Sequence, residues 1–489
     1  MFQSRRPIFD MLSKEAVDKI VSEALSVLEK TGVFIENEEA LSLLSQAGVN
    51  IGQSTRRAYM KEGLVEQCLK TVPKRIQVFD RNGNPAMDLQ GFNSHFDPGS
   101  AAIHILDSES GEIRKPKTQD LVNFAKLTDD LDHFAAQSTG LVPADVPERI
   151  ADRYRLFIAL QHCQKPVVTG TFAVEGFAVM KEMLVAVRGD EKKLSEKPLS
   201  IFDCCPSPPL RWSHLTCQSL IDCAKSGIPA ELVSMPLSGA TAPLTLAGSL
   251  VQHTAENLSG IVIHQLANPG APIIYGGSPA FFDMRHGTTP MGAIETMMID
   301  VSYAQIGRYM GLPTHAYMGL SDAKVLDYQA GLESGMGAVL AVLAGINVIS
   351  GGGMIDFESC QSLEKLVIDN DICGMALRLA RGIRQRGEKL AEDLYGNIDD
   401  GDHFLTSPET LKWMRSEPFI PSEVIDRSNR DDWVKTGAKP AQIRAEEHVK
   451  RIISEQTPEL LSEEVTKELG RIMATDARKY GLDRLPPIE

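Results

Sequence analysis

The chain has 489 residues, 43% of them hydrophobic, with 65 acidic against 50 basic side chains and a formal net charge of -15. An acidic balance without clustered Lys and Arg argues against nucleic acid as a partner, because phosphate backbones need a basic face. The N-terminus lacks the apolar core of a signal peptide, no apolar run reaches bilayer-spanning length, and eight irregularly spaced cysteines read as reduced thiols; we expect a cytoplasmic protein with no membrane association.

Ser13 to Lys30 places Ala16, Val17, Ile20, Ala24, Leu25 and Leu28 on a helical stripe behind an N-cap serine. Asn37 to Ala47 and Thr55 to Thr71 read as further helices. Ile76 to Asp80 and Pro85 to Leu89 flank Asn82-Gly83-Asn84, a hairpin signal. Phe92 to Gly99, Ala101 to Asp107 and Gly111 to Arg114 continue as hairpin-like material, with Asp97-Pro98-Gly99 as a turn. Thr118 to Leu131 is a helix, after which the first strand of the central fold is expected.

From there one grammar recurs. Strand-like runs ending in small or turn residues lie at Phe134–Gly140, Pro166–Thr171, Leu199–Pro208, Ala230–Gly239, Ala271–Ser278, Pro313–Leu320 and Ile346–Gly353. Helix-like segments separate them at Ala173–Val187, His214–Ser226, Thr245–Ala267, Gly292–Met310 and Leu332–Ala344. The run ends recur about every 30 to 40 residues, the length of one strand-helix unit. Such a series builds parallel strands, either as an open doubly wound sheet or as a (β/α)8 TIM barrel. The runs share no dinucleotide fingerprint and end in polar or glycine residues on one face, so the barrel is preferred, with its site at the carboxyl-end face. An eighth strand is expected near Phe357–Ser362 or as a very short element. Beyond it, Ser362 to Arg384 reads as a helix, Asp399 to Phe404 as a loop, and Ala441–Glu455 and Pro458–Tyr480 as amphipathic helices. The expected organisation is an N-terminal helical and hairpin layer over 1–117, a barrel core over 118–385 and a helical extension over 386–489, in an α/β protein that assembles as a homo-oligomer.

The stretch Pro272–Glu295, PIIYGGSPAFFDMRHGTTPMGAIE, joins a buried strand to a glycine turn, an aromatic pair and a helix start. Phe96, Tyr275, Phe281, Phe282, Tyr317 and Phe357 lie near strand ends or loops, where several rings could hold a quaternary ammonium by cation–π attraction. A plain core position is the commoner fate of any single ring. Phe96 and Phe357 stand out because polar residues border them: His95 and Asp97, Asp356 and Glu358. Arg285, His315 and His95 are available for a ligand carboxylate, although each could as well make an ordinary structural hydrogen bond. Gly276-Gly277 and Gly351-Gly352 could bring bare backbone against a flat macrocycle, or could be tight turns. Adjacent Cys204-Cys205, with Cys163 or His214, could hold zinc for methyl transfer involving a thiol, but buried small cysteines are commoner and no tightly bound metal is expected. No catalytic side chain is assigned. Phosphate-loop, dinucleotide and hydrolase-elbow motifs are absent, as is the D-x-H-x-x-G pattern by which cobalamin domains ligate cobalt.

The stretch Pro272–Glu295, together with SDAKVLDYQAGLES, GINVISGGGMIDFES, LEKLVIDNDI and GDHFL, resembles the trimethylamine methyltransferase superfamily from about residue 10 to 480. That resemblance implies a (β/α)8 barrel moving a methyl group from an amine to the Co(I) corrinoid, a cobalamin, of a separate corrinoid protein. Where the archaeal enzymes carry pyrrolysine, in the stretch matching Asp327 to Ser334, this chain reads DYQAGLES. Members without pyrrolysine resemble glycine betaine:corrinoid methyltransferases. The implied substrate is therefore a quaternary amine, glycine betaine first, giving dimethylglycine; its nitrogen is already quaternary and needs no general acid. Phe96 and Phe357 map onto cage positions, and Tyr275, Arg285 and His315 onto the mouth. Proline betaine, carnitine or choline are alternative substrates, and a non-catalytic quaternary-amine binding protein is an alternative of another class.

Overall fold

The computed structural model describes residues 6–396, 403–455, 459 and 461–488. Eight parallel strands form one sheet: β1 (His95–Pro98), β2 (Gln137–Ser138), β3 (Val167–Gly170), β4 (Ser200–Cys204), β5 (Ala230–Leu232), β6 (Ile273–Gly277), β7 (Thr314–Tyr317) and β8 (Val348–Gly352). From β2 to β8 each pairs with the next, and β8 returns to β1 through Val348 opposite His95 and Ser350 opposite Asp97. The remaining seam closes where the Ala135 N–H donates to the Phe96 carbonyl at 2.8 Å and Phe96 bridges Phe134. A helix follows each strand, so the fold is a (β/α)8 barrel. Local sequence sets the helix bounds: Ser213 accepts from the Thr216 N–H and Gly227 ends the same helix in the left-handed region, while Asp327 caps Tyr328–Ala344 by accepting from Gln329 and Ala330.

Two expectations are corrected. The eighth strand is not at Phe357–Ser362 but is the first in chain order, His95–Pro98, within the segment read as hairpin-like. Phe357 instead sits in the turn of a rim hairpin, Met354–Ile355 with Cys360–Gln361, whose second strand pairs with His104–Leu106. Likewise Thr55–Thr71 is not one helix. Arg57–Tyr59 pairs with Val33–Ile35, which buries Ala58, and the helix begins at Glu62. The expected loop at Asp399–Phe404 lies mostly outside the described residues. Among the described residues no helix is long and apolar enough to cross a membrane.

Strand alternation decides what fills the barrel. Its lower level is apolar: Ala136, Val168, Ile201, Ile274 and Val348 pack against Ile76, Val78, Met87 and Leu89. Those last four belong to the antiparallel hairpin Ile76–Phe79 and Pro85–Leu89, which plugs the amino end. Full burial of each large apolar side chain contributes about 1.5–3 kcal/mol, so the plug is a firm floor. Among the described residues, the hairpin closes the amino end and the barrel opens at its carboxyl end.

Candidate active site at the barrel mouth

Above that floor the inward side chains turn polar. Asp97, Ser138, Asp203, Glu231, His315 and Ser350 project from six strands, all buried apart from a partly covered Asp203. Ser350 donates to Asp97 at 2.8 Å, and His315 Nε2 lies 3.2 Å from both the Ser350 hydroxyl and Glu231 Oε1. Tyr317 packs edge-on against His315 and donates to Asp203 at 3.4 Å. Burial dominates the protonation of this group. It drives the His315 imidazole down to about 3, leaving it neutral. It also pushes Glu231 far above the carboxylate range, a shift reinforced by Asp203 and Asp97, and it raises Asp97. Asp203 is pushed up only to about 6, because hydrogen bonding from Glu231 and Tyr317 and the Arg155 charge oppose its burial. Asp203 is thus the inner carboxyl group that ionises near neutral pH.

Of these groups Asp203 and Tyr317 line a chamber of about 420 Å³, whose wall also includes Arg155, Phe172, Cys205, Phe357 and Glu358. The last two come from the rim hairpin, where Asp356, Phe357 and Glu358 have φ of +51°, +56° and +67° in succession. A left-handed conformation costs a non-glycine residue about 1–2 kcal/mol, and here it is held by Ser359, which donates to the Asp356 carbonyl and carboxylate at 2.7 and 2.9 Å. That strained turn hangs a ring and a carboxyl group over the opening. Burial, with Asp203 and Asp97 adding to it, raises the half-buried Glu358 carboxyl as well. A second cavity, about 900 Å³, lies on the outer side of Phe357 and is lined by Phe281, Phe282, Arg285 and Lys324 among others.

Of the rings singled out by sequence, Phe357 and Tyr317 therefore reach the chamber, and Phe281 and Phe282 only the outer cavity. Phe96 and Tyr275 do neither. Both are on strands whose alternate residues, Asp97 and Gly276, point inward, so Phe96 enters the hydrophobic core and Tyr275 meets Thr254 and His253 on the helix Leu246–Ala267. His95 faces the floor, where its Nε2 accepts from the Asp88 N–H at 3.1 Å. Arg285 is a surface residue paired with Asp283. His315 belongs to the buried layer rather than the rim. The four glycines pack against protein: a Cβ at Gly276 would lie 2.8 Å from His315 Cβ, at Gly277 2.4 Å from His253, at Gly351 2.5 Å from the Met318 carbonyl and at Gly352 2.4 Å from Phe134. The cysteine set is dispersed too. Cys204 turns outward to Cys223, Cys205 lines the chamber, Cys163 caps a helix at the opposite end, and His214 pairs with Asn37.

Sequence reading passed over Asp203, Glu231 and Arg155. The available signal was a charged residue inside an otherwise apolar run, as in Ser200-Ile201-Phe202-Asp203 and Ala230-Glu231-Leu232.

Fold and site together define a (β/α)8 barrel with a single-ended polar chamber at the carboxyl ends of its strands, where barrel enzymes carry their chemistry. The chain belongs to the trimethylamine methyltransferase (MTTB) family, whose model matches residues 1–481. It is a methyltransferase of that family. A trimethylamine methyltransferase MttB of Desulfitobacterium hafniense is 32% identical over 472 residues, covering 96% of this chain and 95% of the relative. A glycine betaine methyltransferase of the same species is 30% identical over 477 residues, covering 97% and 98%. The crystal structure of the Methanosarcina barkeri monomethylamine methyltransferase (MtmB) superposes with a TM-score of 0.47 at 11% identity, covering 93% of this chain and 96% of that one.

Proposed function

We propose that the protein takes a methyl group from a quaternary amine, glycine betaine first, and passes it to the corrinoid of a separate partner protein, releasing dimethylglycine. The observation that carries this reading is the make-up of the chamber: Phe357 and Tyr317 beside Asp203 and Glu358, above a sealed floor. Rings and an ionisable carboxylate attract a fixed positive charge, and attraction strengthens as the cation loses water. A quaternary nitrogen departs as a neutral tertiary amine, so no proton has to be delivered. A neutral His315 suits that requirement, since an imidazole pushed down to about 3 has no imidazolium proton to deliver near neutral pH. The chain's own task is to orient the amine and exclude water. Exposed Ile103, Phe172 and Met235 line the same chamber and are the side chains on which a partner-borne macrocycle would rest. When bound, a reduced corrinoid supplies the nucleophile that accepts the methyl group.

The test incubates the protein with reduced cognate corrinoid protein and a panel of quaternary amines, following the demethylated amine and corrinoid absorbance. One dimethylglycine per methylated corrinoid is expected from glycine betaine. Demethylation of choline, carnitine or proline betaine instead would reassign the substrate. Tight binding with no methyl loss from any of them would leave a binding protein and refute the reading.

A further inference from the structure

We infer that Arg155 is the seat for a carboxylate on the substrate, so that the chamber selects quaternary amines carrying an anionic group close to the nitrogen; this deepens the methyl-donor reading above and rests on it. Arg155 projects from the helix Ala151–His162 and is 3% exposed. Its Nη1 donates to the Thr139 carbonyl at 2.7 Å, and its guanidinium lies 4.4 Å from the centre of the Phe172 ring. These two contacts fix the plane of the group while leaving much of its donor fork unused. Nε is buried without a partner, and no carboxylate among the described residues comes within ion-pair distance.

A buried guanidinium with an unpaired N–H is costly, because the lost hydration is not returned by a hydrogen bond. The carboxylates whose field reaches it are Asp152 and Asp203. Asp152 is already committed to Arg153 and to the Phe172 N–H, and Asp203, which accepts from Tyr317 through Oδ2 and leaves Oδ1 without a partner, makes no ion pair with the guanidinium. A planar anion entering the chamber would complete the fork, the geometry in which arginine binds carboxylates most strongly. The other candidates cannot serve. Arg285 is outside and paired, Lys324 rests on the outer cavity's side, and His315 is neutral. Among the described residues Arg155 is the one Lys, Arg or His lining the chamber. One cationic group among rings and carboxyl groups matches a zwitterion, whereas a simple ammonium ion would leave the arginine unsatisfied.

Calorimetric titration of the full chain with glycine betaine, choline and tetramethylammonium tests this without any corrinoid. The wild-type protein should bind glycine betaine at least tenfold more tightly than the two ions lacking a carboxylate; equal affinities would overturn the inference. Arg155→Met should weaken glycine betaine about a hundredfold and tetramethylammonium less than threefold, with Arg155→Lys recovering part of the loss. Parallel losses for both ligands would make Arg155 a packing residue and overturn it, and should Arg155→Met fail to fold, the wild-type preference and the Lys variant still decide. A wild-type protein that binds none of the three, nor carnitine or proline betaine, refutes the methyl-donor reading and this inference together, a result distinct from binding that ignores the carboxylate.

Discussion

The Lys324 ammonium sits 3.6 Å from the centre of the Phe357 ring and 3.7 Å from the Asp356 carboxylate. The ring that walls the chamber thus already carries a cation on the side of the outer cavity, which illustrates what its π face attracts. Replacing Phe357 with Leu should weaken quaternary-ammonium binding about tenfold, in line with a cation–π contribution of roughly 1–2 kcal/mol. Lys324→Met should tighten it by roughly threefold, since a ring already holding one cation draws a second less strongly. Calorimetry on both variants checks the pair, and opposite signs are the discriminating result.

Binding should depend on pH through Asp203. Its carboxyl titrates near 6 in the folded chamber against 3.8 ordinarily, so it is mostly protonated at pH 5 and ionised at 7.5. A fixed cation favours the ionised form, so affinity should rise about tenfold from pH 5 to 7.5 as the carboxylate appears. For folding the sign is opposite. The raised value means that the native state binds this proton more tightly, and the stability from this group is present below about 4 and lost as pH rises through 6. Asp203→Asn should flatten the binding profile; an unchanged pH dependence in that variant would assign it elsewhere.

The floor makes a prediction about stability. Met87 is 1% exposed and packs in the hairpin plug. Met87→Ala should cost about 2–5 kcal/mol through lost burial and the cavity left behind. Thermal unfolding with and without ligand would measure it, the lowered Tm persisting in both.

At the C-terminus, Arg153 is fully buried between Asp152 at 3.0 Å and Asp476 at 2.5 Å, which ties the helix Glu463–Lys479 to the barrel. Asp476→Ala should destabilise by about 2–3 kcal/mol, less than the 3–5 typical of a broken buried pair because Asp152 remains. Denaturant unfolding would register the loss, and faster proteolysis at the C-terminal helix should accompany it.

Much of the barrel was legible because seven strands show the same sequence pattern, an apolar run, a small or polar stop, then a helix. β1 was not. A strand of four residues ending in Asp97-Pro98 and followed by Gly99 has the chemistry of a turn, and only pairing with β8 and the bridge to Phe134 makes it extended. The site was legible in part. Residue type singled out Phe357 and Tyr317, which reach the chamber, but equally Phe96 and Tyr275, which do not. For the three on strands, Tyr317, Phe96 and Tyr275, what separates them is strand parity, which a one-residue offset reverses, while Phe357 is brought in by the rim turn. Arg155 could not have been found from its neighbours. It lies in a helix with almost no amphipathic contrast, Ala151–His162, where ten consecutive residues are buried.

The hairpin Ile76–Leu89 stoppers the vessel from below, so there is one doorway for everything. On the proposed function, the donor would have to be inside before a macromolecular acceptor covered the entrance, and the spent amine could diffuse away only once that acceptor had lifted off. Steady-state kinetics should accordingly obey a compulsory order, small molecule first, with excess acceptor inhibiting by blocking the exit.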